Sequence, residues 1–125
     1  MCQIKEQPIG EGPVTGYRIY ERRFSDKEEY SYFNSYARLD LNVKIAAANK
    51  PFHACRSIED VESMLAYCNG ERDFVVVYRC ELSGDVQSGL WSDTSYSKNP
   101  TKTYTGKFCM LLEEVQLQSP GNQAT

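Results

Sequence analysis

Long apolar runs are missing from this sequence. Its longest uncharged apolar stretch is a handful of residues, whereas a membrane-crossing helix needs about 18 or more. The first residues, Met1-Cys2-Gln3-Ile4-Lys5-Glu6, are polar and lack the apolar segment of a secretory signal. A cytoplasmic protein with no membrane partner is therefore expected. A basic stripe is missing too. The 14 basic and 17 acidic side chains are interleaved to a formal net charge of −3, and only Arg22-Arg23 forms a basic pair, with Glu21 beside it. Phosphate-neutralising surfaces cluster their cations, so nucleic acid is not an expected partner. The five cysteines, Cys2, Cys55, Cys68, Cys80 and Cys109, are odd in number and show no C-x-x-C spacing. Disulfide frameworks and zinc cages group their cysteines, so these are expected to be reduced, mostly buried small hydrophobes, with no metal bound. Gly84 and Gly89 belong to no phosphate-cradling pattern, and no internal repeat is visible.

What remains is ordinary globular material. The 125 residues suit one core, and the 41% hydrophobic and 25% charged fractions are typical. Residues 1–13, with Pro8, Gly10, Gly12 and Pro13, read as an irregular lead-in. Val14 to Tyr20 is β-branched and aromatic, and predicts a strand. Ser25-Asp26-Lys27-Glu28 has the form of a capping box, and Tyr30, Phe33 and Tyr36 follow at helical spacing, so a helix is expected over 26–37. Leu39, Leu41, Val43 and Ile45 alternate with polar residues and predict a half-buried strand. Phe52 to Cys55 is expected to be extended after Pro51.

Ser57 caps the best-defined element, a helix over 58–68 whose stripe is Ile58, Val61, Leu65 and Cys68. Asn69-Gly70 supplies its stop. Phe74 to Leu82 predicts a central strand, apolar on both faces at its start. Ser83-Gly84-Asp85 predicts a turn, 87–100 a long polar loop, and the region from Tyr104 through Phe108 to Leu112 a last strand. The expected fold class is α+β: a mostly antiparallel sheet with two helices packed against it, one domain over 14–115, and a disordered tail over 119–125. Val61, Leu65, Val76, Tyr78 and Leu111 are the expected core.

No convincing catalytic set emerges. His53, the single histidine, shares a strand face with Cys55, but a thiol enzyme needs hydrogen-bond reach and a lowered thiol pKa; a structural histidine beside a buried cysteine is the better reading. Cys2 could become a terminal nucleophile after loss of Met1, yet nothing downstream lines such a site. Glu113 and Glu114 are adjacent on a strand and point to opposite faces. Nine tyrosines are many for 125 residues, and Tyr96 with Trp91 in the polar 87–100 stretch has the character of a recognition surface.

Two resemblances attach to particular residues. Pro51-Phe52-His53-Ala54-Cys55 followed by Ser57-Ile58-Glu59-Asp60-Val61 resembles the G-F-H-x-C-then-helix signature of small domains common in bacteriophages, with Pro51 in the place of Gly. Cys80 to Val86 and Leu111 to Val115 are similar to that family's later strands, so the likeness spans about residues 14–115. More loosely, the order of elements is similar to the ADP-ribosyltransferase-like scaffold. That likeness implies roles for Arg18 in Gly16-Tyr17-Arg18, for His53, and for Glu113 or Glu114 as the carboxylate, with NAD as substrate. Cys55 stands where that scaffold carries a hydroxyl residue, and no Glu-x-Glu pair is present. The leading expectation is a phage-type accessory protein that binds a protein or a small nucleotide ligand through Arg18, His53, Trp91 and Tyr96, with no cofactor. The alternative is an NAD-dependent ADP-ribosyltransferase-like enzyme.

Overall fold

The computed structural model describes residues 2–22, 25, 27–31, 37–68, 75–92 and 101–116. In chain order these form β1 (Cys2–Gly10), β2 (Val14–Arg22), β3 (Glu29–Ser31), β4 (Ile45–Ala46), β5 (Phe52–Cys55), α1 (Ile58–Cys68), β6 (Val75–Ser83), β7 (Val86–Ser92), β8 (Thr101–Gly106) and β9 (Phe108–Val115). The named strands form one sheet in the order β1-β7-β8-β5-β2-β6-β9-β4, with β3 also on β2. Every pairing between them is antiparallel.

The protein is thus mainly β, with one helix among the described residues, and the expected α+β arrangement with two helices is corrected. The helix expected over 26–37 fails at Glu29–Ser31, which pairs with β2 through Tyr20↔Ser31, Glu21↔Tyr30 and Arg22↔Glu29. Lys27, inside the supposed capping box, has φ 62°, which a right-handed helix does not accommodate. Residues 32–36 lie outside the described residues. The alternating segment before Ile45 is a strand only at Ile45–Ala46. Asn42 has φ 60°, and Leu41 and Val43 are 38% and 45% exposed, so of this alternating set only Leu39, before the turn, packs on the core. Cys2–Gly10 is a strand on β7, where an irregular lead-in was expected. The expected loop begins as β7, and residues 93–100 lie outside the described residues, as does the tail from 117.

The sheet is curled. Strands β8 and β6 are separated by β5 and β2 in the strand order, so in a flat sheet they would lie roughly 14 Å apart. Yet a Cβ on Gly106 of β8 would lie 3.1 Å from the Leu82 Cβ of β6. The chain crosses between the two halves at neighbouring corners, Gly84-Asp85 after β6 and Lys107 after β8. Lys107 N–H donates to the Gly84 carbonyl at 2.9 Å, and Gly84 N–H donates to the Glu11 carbonyl at 2.9 Å. Positive φ at Gly84 (75°) and Asp85 (49°) makes the first corner, and the Phe108 ring lies 2.7 Å from where a Gly84 Cβ would be.

Curling gives the sheet an inner and an outer face, each with its own core. Tyr20, Ala54, Val76, Tyr78, Cys80, Leu82, Cys109 and Leu111 pack on the inner face, with Val14, Leu39, Phe52 and Tyr104 half-buried around them. On the outer face Ile19, Cys55 and Val77 lie under Val61, Met64 and Leu65 of α1. The expected core residues Val61, Leu65, Val76, Tyr78 and Leu111 are all buried. Helix α1 starts as its sequence predicts: Asp60 N–H donates to Ser57 Oγ at 3.2 Å, and the Ser57 hydroxyl donates to the Asp60 carboxylate at 2.6 Å.

Candidate functional site

Alternation along β2 puts Gly16, Arg18, Tyr20 and Arg22 on the inner face. Gly16 matters because β5 passes so close: an added Cβ there would lie 2.7 Å from the Ala54 Cβ and 3.2 Å from the Cys55 carbonyl oxygen. That approach brings the backbone of β5 within reach of Arg18. Arg18 Nη1 donates to the His53 carbonyl at 2.6 Å, in a bond exposed to solvent, and Nε donates to Tyr20 Oη at 3.0 Å. The guanidinium lies 5.6 Å from the Tyr20 ring centroid and 5.4 Å from that of Phe52, within cation–π range of both. Burial lowers the Arg18 pKa, and the Tyr20 oxygen, Cys109 and Cys80 around it offset this, leaving it above its ordinary value. The cation is permanent, half-buried among the Tyr20 and Phe52 rings, and its bond to His53 is open to solvent.

Of the other arginines, Arg56 also meets neutral oxygens, the Thr103 and Gly89 carbonyls at 3.1 and 2.9 Å, and lies over the Tyr104 ring, whereas Arg22 and Arg38 are matched by carboxylates. Glu29, with a side chain only 11% exposed, sits 2.6 Å from Arg22 Nη2 and 3.6 Å from Arg38 Nε. The Tyr78 hydroxyl donates to it at 2.5 Å and accepts from Arg38 Nη1 at 3.1 Å. Glu114 approaches Arg22 at 3.4 Å. The Tyr20 and Tyr78 rings meet edge-on, 5.7 Å apart, and link this cluster to Arg18. Burial and then the hydrogen bond to Glu29 raise the Tyr78 pKa, and burial raises that of Tyr20. Two arginines thus face two glutamates, whereas no carboxylate among the described residues forms an ion pair with Arg18.

The residues anticipated from the sequence fall out as follows. Arg18 is central. His53 contributes its carbonyl; its side chain is exposed and belongs, by alternation, to the outer face with Cys55. Trp91 lies in β7, opposite Thr101 of β8, three strands from β2 in the sheet order. Tyr96 lies outside the described residues. Glu114 is opposite Tyr78, and Glu113 is opposite Arg79, whose guanidinium it meets at 2.9 Å. The Cys55 thiol is buried against Met64 Sδ at 4.0 Å, and burial, then Asp60, pushes its pKa up to about 12. That is the opposite of an activated nucleophile. Cys55, Cys80 and Cys109 are free and buried. Cys80 sits opposite Leu111, and Cys109 opposite Leu82. The neighbouring Cys109 thiol, together with burial, holds the Cys80 proton on.

Tyr20, Glu29, Arg38 and Tyr78 were not anticipated as site residues. One signal for part of the set was available: Arg18, Tyr20 and Arg22 alternate with Ile19 and Glu21, which marks a strand with a polar stripe on one face. Among the described residues no three His, Cys, Asp or Glu side chains gather as metal ligands. No helix is long and apolar enough to cross a membrane among those residues. A concavity of about 390 Å³ at the corner end of the sheet includes both Asp85 and Lys107 in its wall, so it lacks the charge imbalance seen at Arg18. Comparison with known proteins finds no matching family model, no matching curated protein and no matching solved structure.

Proposed function

We propose that this protein is a small accessory-type binding module that captures an anionic ligand on the inner face of its curled sheet, with Arg18 as the anchoring cation. The observation that carries this reading is the unmatched guanidinium. Arginines in apolar surroundings are ordinarily paired with a carboxylate, because an isolated charge is costly to desolvate. Arg18 instead spends two of its five N–H donors on neutral oxygens, while two nearby arginines take the glutamates. A ligand anion would supply the missing partner. A cytoplasmic setting belongs to the same reading, and the free thiols of Cys55, Cys80 and Cys109 fit a reducing compartment.

The transferase alternative asks Arg18, His53 and a glutamate to surround one nucleotide. Arg18, Tyr78 and Glu114 do form a row across β2, β6 and β9, which sets Arg18 and Glu114 roughly 10 Å apart. Glu114 is engaged by Arg22, however, and the His53 side chain belongs to the other face, so binding is the better-supported reading. Calorimetric titration of the protein and of Arg18→Met with a panel of small organic anions tests it. Binding that is saturable in the parent and lost in the variant is the expected result. An absence of anion binding, or NAD turnover that depends on Glu114, would overturn it.

A further inference from the structure

We infer that the anion taken up at Arg18 is the single carboxylate of a small acid with an apolar body, and not a phosphate. This rests on the binding reading above and names the ligand class for that site. Three observations carry it. The first is charge. Arg22 and Arg38 are committed to Glu29 and Glu114, and Arg56 points its donors at the Thr103 and Gly89 carbonyls, so at Arg18 itself a single positive charge awaits the ligand. A carboxylate neutralises it, whereas a phosphate monoester at about −1.5 to −2 would leave excess negative charge beside Phe52, Cys80 and Cys109.

The second observation is donor geometry. With Nε on Tyr20 and one Nη1 hydrogen on His53, three N–H groups remain, including both on Nη2. No acceptor meets Nη2 among the described residues. Two N–H groups of a planar guanidinium match the two oxygens of a carboxylate. A phosphate presents three oxygens and is ordinarily met by further backbone N–H groups at a helix N-terminus. Here the N-terminus of α1 packs on the outer face, and its N–H at Asp60 is already satisfied by Ser57.

The third observation is the apolar surround of the inner face. Around the inner core lie the half-buried side chains Phe52, Tyr104, Val14 and Leu39, and the Phe52 ring flanks the guanidinium itself. These surfaces gain by covering apolar area.

The test uses the full ¹⁵N-labelled chain titrated with phenylacetate, phenylacetamide, inorganic phosphate and AMP, followed by amide shifts. Phenylacetate is expected to give saturable shifts at Arg18, Tyr20 and Phe52, and the isosteric neutral amide to give none. Arg18→Met should abolish the effect in a variant whose spectrum stays dispersed. If that variant does not fold, Arg18→Lys keeps the charge without the fork and should bind about tenfold or more weakly. Saturation by AMP or phosphate that depends on Arg18, without phenylacetate binding, would refute the carboxylate class and leave the binding reading standing. Failure of all four probes would refute both. Phenylacetate binding indifferent to both Arg18 variants would refute the site.

Discussion

Replacing Gly16 by alanine tests the contact that seats Arg18. Gly16 lies in an ordinary strand conformation, so the substitution adds no backbone strain; its whole effect is steric. The new methyl would lie 2.7 Å from the Ala54 Cβ and 3.2 Å from the Cys55 carbonyl oxygen, with Cys80 Sγ at an ordinary 3.7 Å. Carbon atoms in contact prefer about 3.5–4.0 Å, so β2 and β5 must separate by roughly 1 Å. Neither obstacle is a flexible side-chain end that could swing away. Overpacking of this kind costs about 1–3 kcal/mol. With a urea m-value of about 2 kcal/mol/M for a domain of this size, the unfolding midpoint should fall by about 0.5–1.5 M at unchanged m. Ala54→Gly removes the facing carbon, so adding it to Gly16→Ala should recover most of the loss beyond its own cost, read as a coupling energy in a double-mutant cycle. Equal midpoints for the parent and Gly16→Ala, or additive behaviour of the two changes, would refute the close β2–β5 approach.

Other outcomes follow from the same packing. Val61→Ala should cost about 1–3 kcal/mol in equilibrium unfolding, since Val61 is fully buried between α1 and the sheet; an unchanged midpoint would overturn that packing. Glu29→Gln leaves Arg22 and Arg38 without their shared charge and should destabilise by about 1–3 kcal/mol, discounted because Arg22 is 42% exposed. Near-neutrality there would show that the ion cluster contributes little. Cys55 bears on alkaline stability. Its folded pKa of about 12 lies above the ordinary 9.0, so the folded state holds the proton longer than the unfolded chain. Its contribution is complete below pH 9 and lost as pH rises toward 12, by up to about 4 kcal/mol. Tyr20 and Tyr78, also raised, act in the same direction. Cys55→Ala should therefore be less stable at neutral pH yet flatter above pH 9 in a stability–pH series, and an unchanged alkaline slope would count against the burial of that thiol.

Wherever one local pattern had one way to be buried, the sequence by itself determined the outcome. The stripe Ile58, Val61, Leu65 behind the Ser57 cap could only be a helix laid on a sheet, and it is α1. Val75 to Val77, apolar on both faces, could only lie in the middle of a sheet, and β6 has β2 and β9 on either side. The Ser83-Gly84-Asp85 turn was equally legible, because left-handed backbone suits those residues. Tertiary structure decided the cases in which the local pattern was satisfied twice over. Tyr30 and Ser31 suit a helix or a strand, and the choice falls to the strand that brings Glu29 between Arg22, Arg38 and Tyr78. Leu39, Leu41 and Val43 alternate as a strand should, but the sheet edge beside them is met only through the Leu41↔Leu111 bridge and the short β4.

The site divides in the same way. The sequence marks Arg18 as a charge set in a β-branched and aromatic strand. That it lacks a carboxylate depends on which acids reach the inner face and which arginines they meet. That its tip meets the His53 carbonyl depends on Gly16 letting β5 come close. Glu29 and Glu114 are drawn to Arg22 from segments far apart in the chain, and the curl of the sheet decides which side chains enclose Arg18. A distribution of charge among distant partners is a property of the packed sheet, because each pairing depends on strand register, and no local stretch of sequence encodes that register alone.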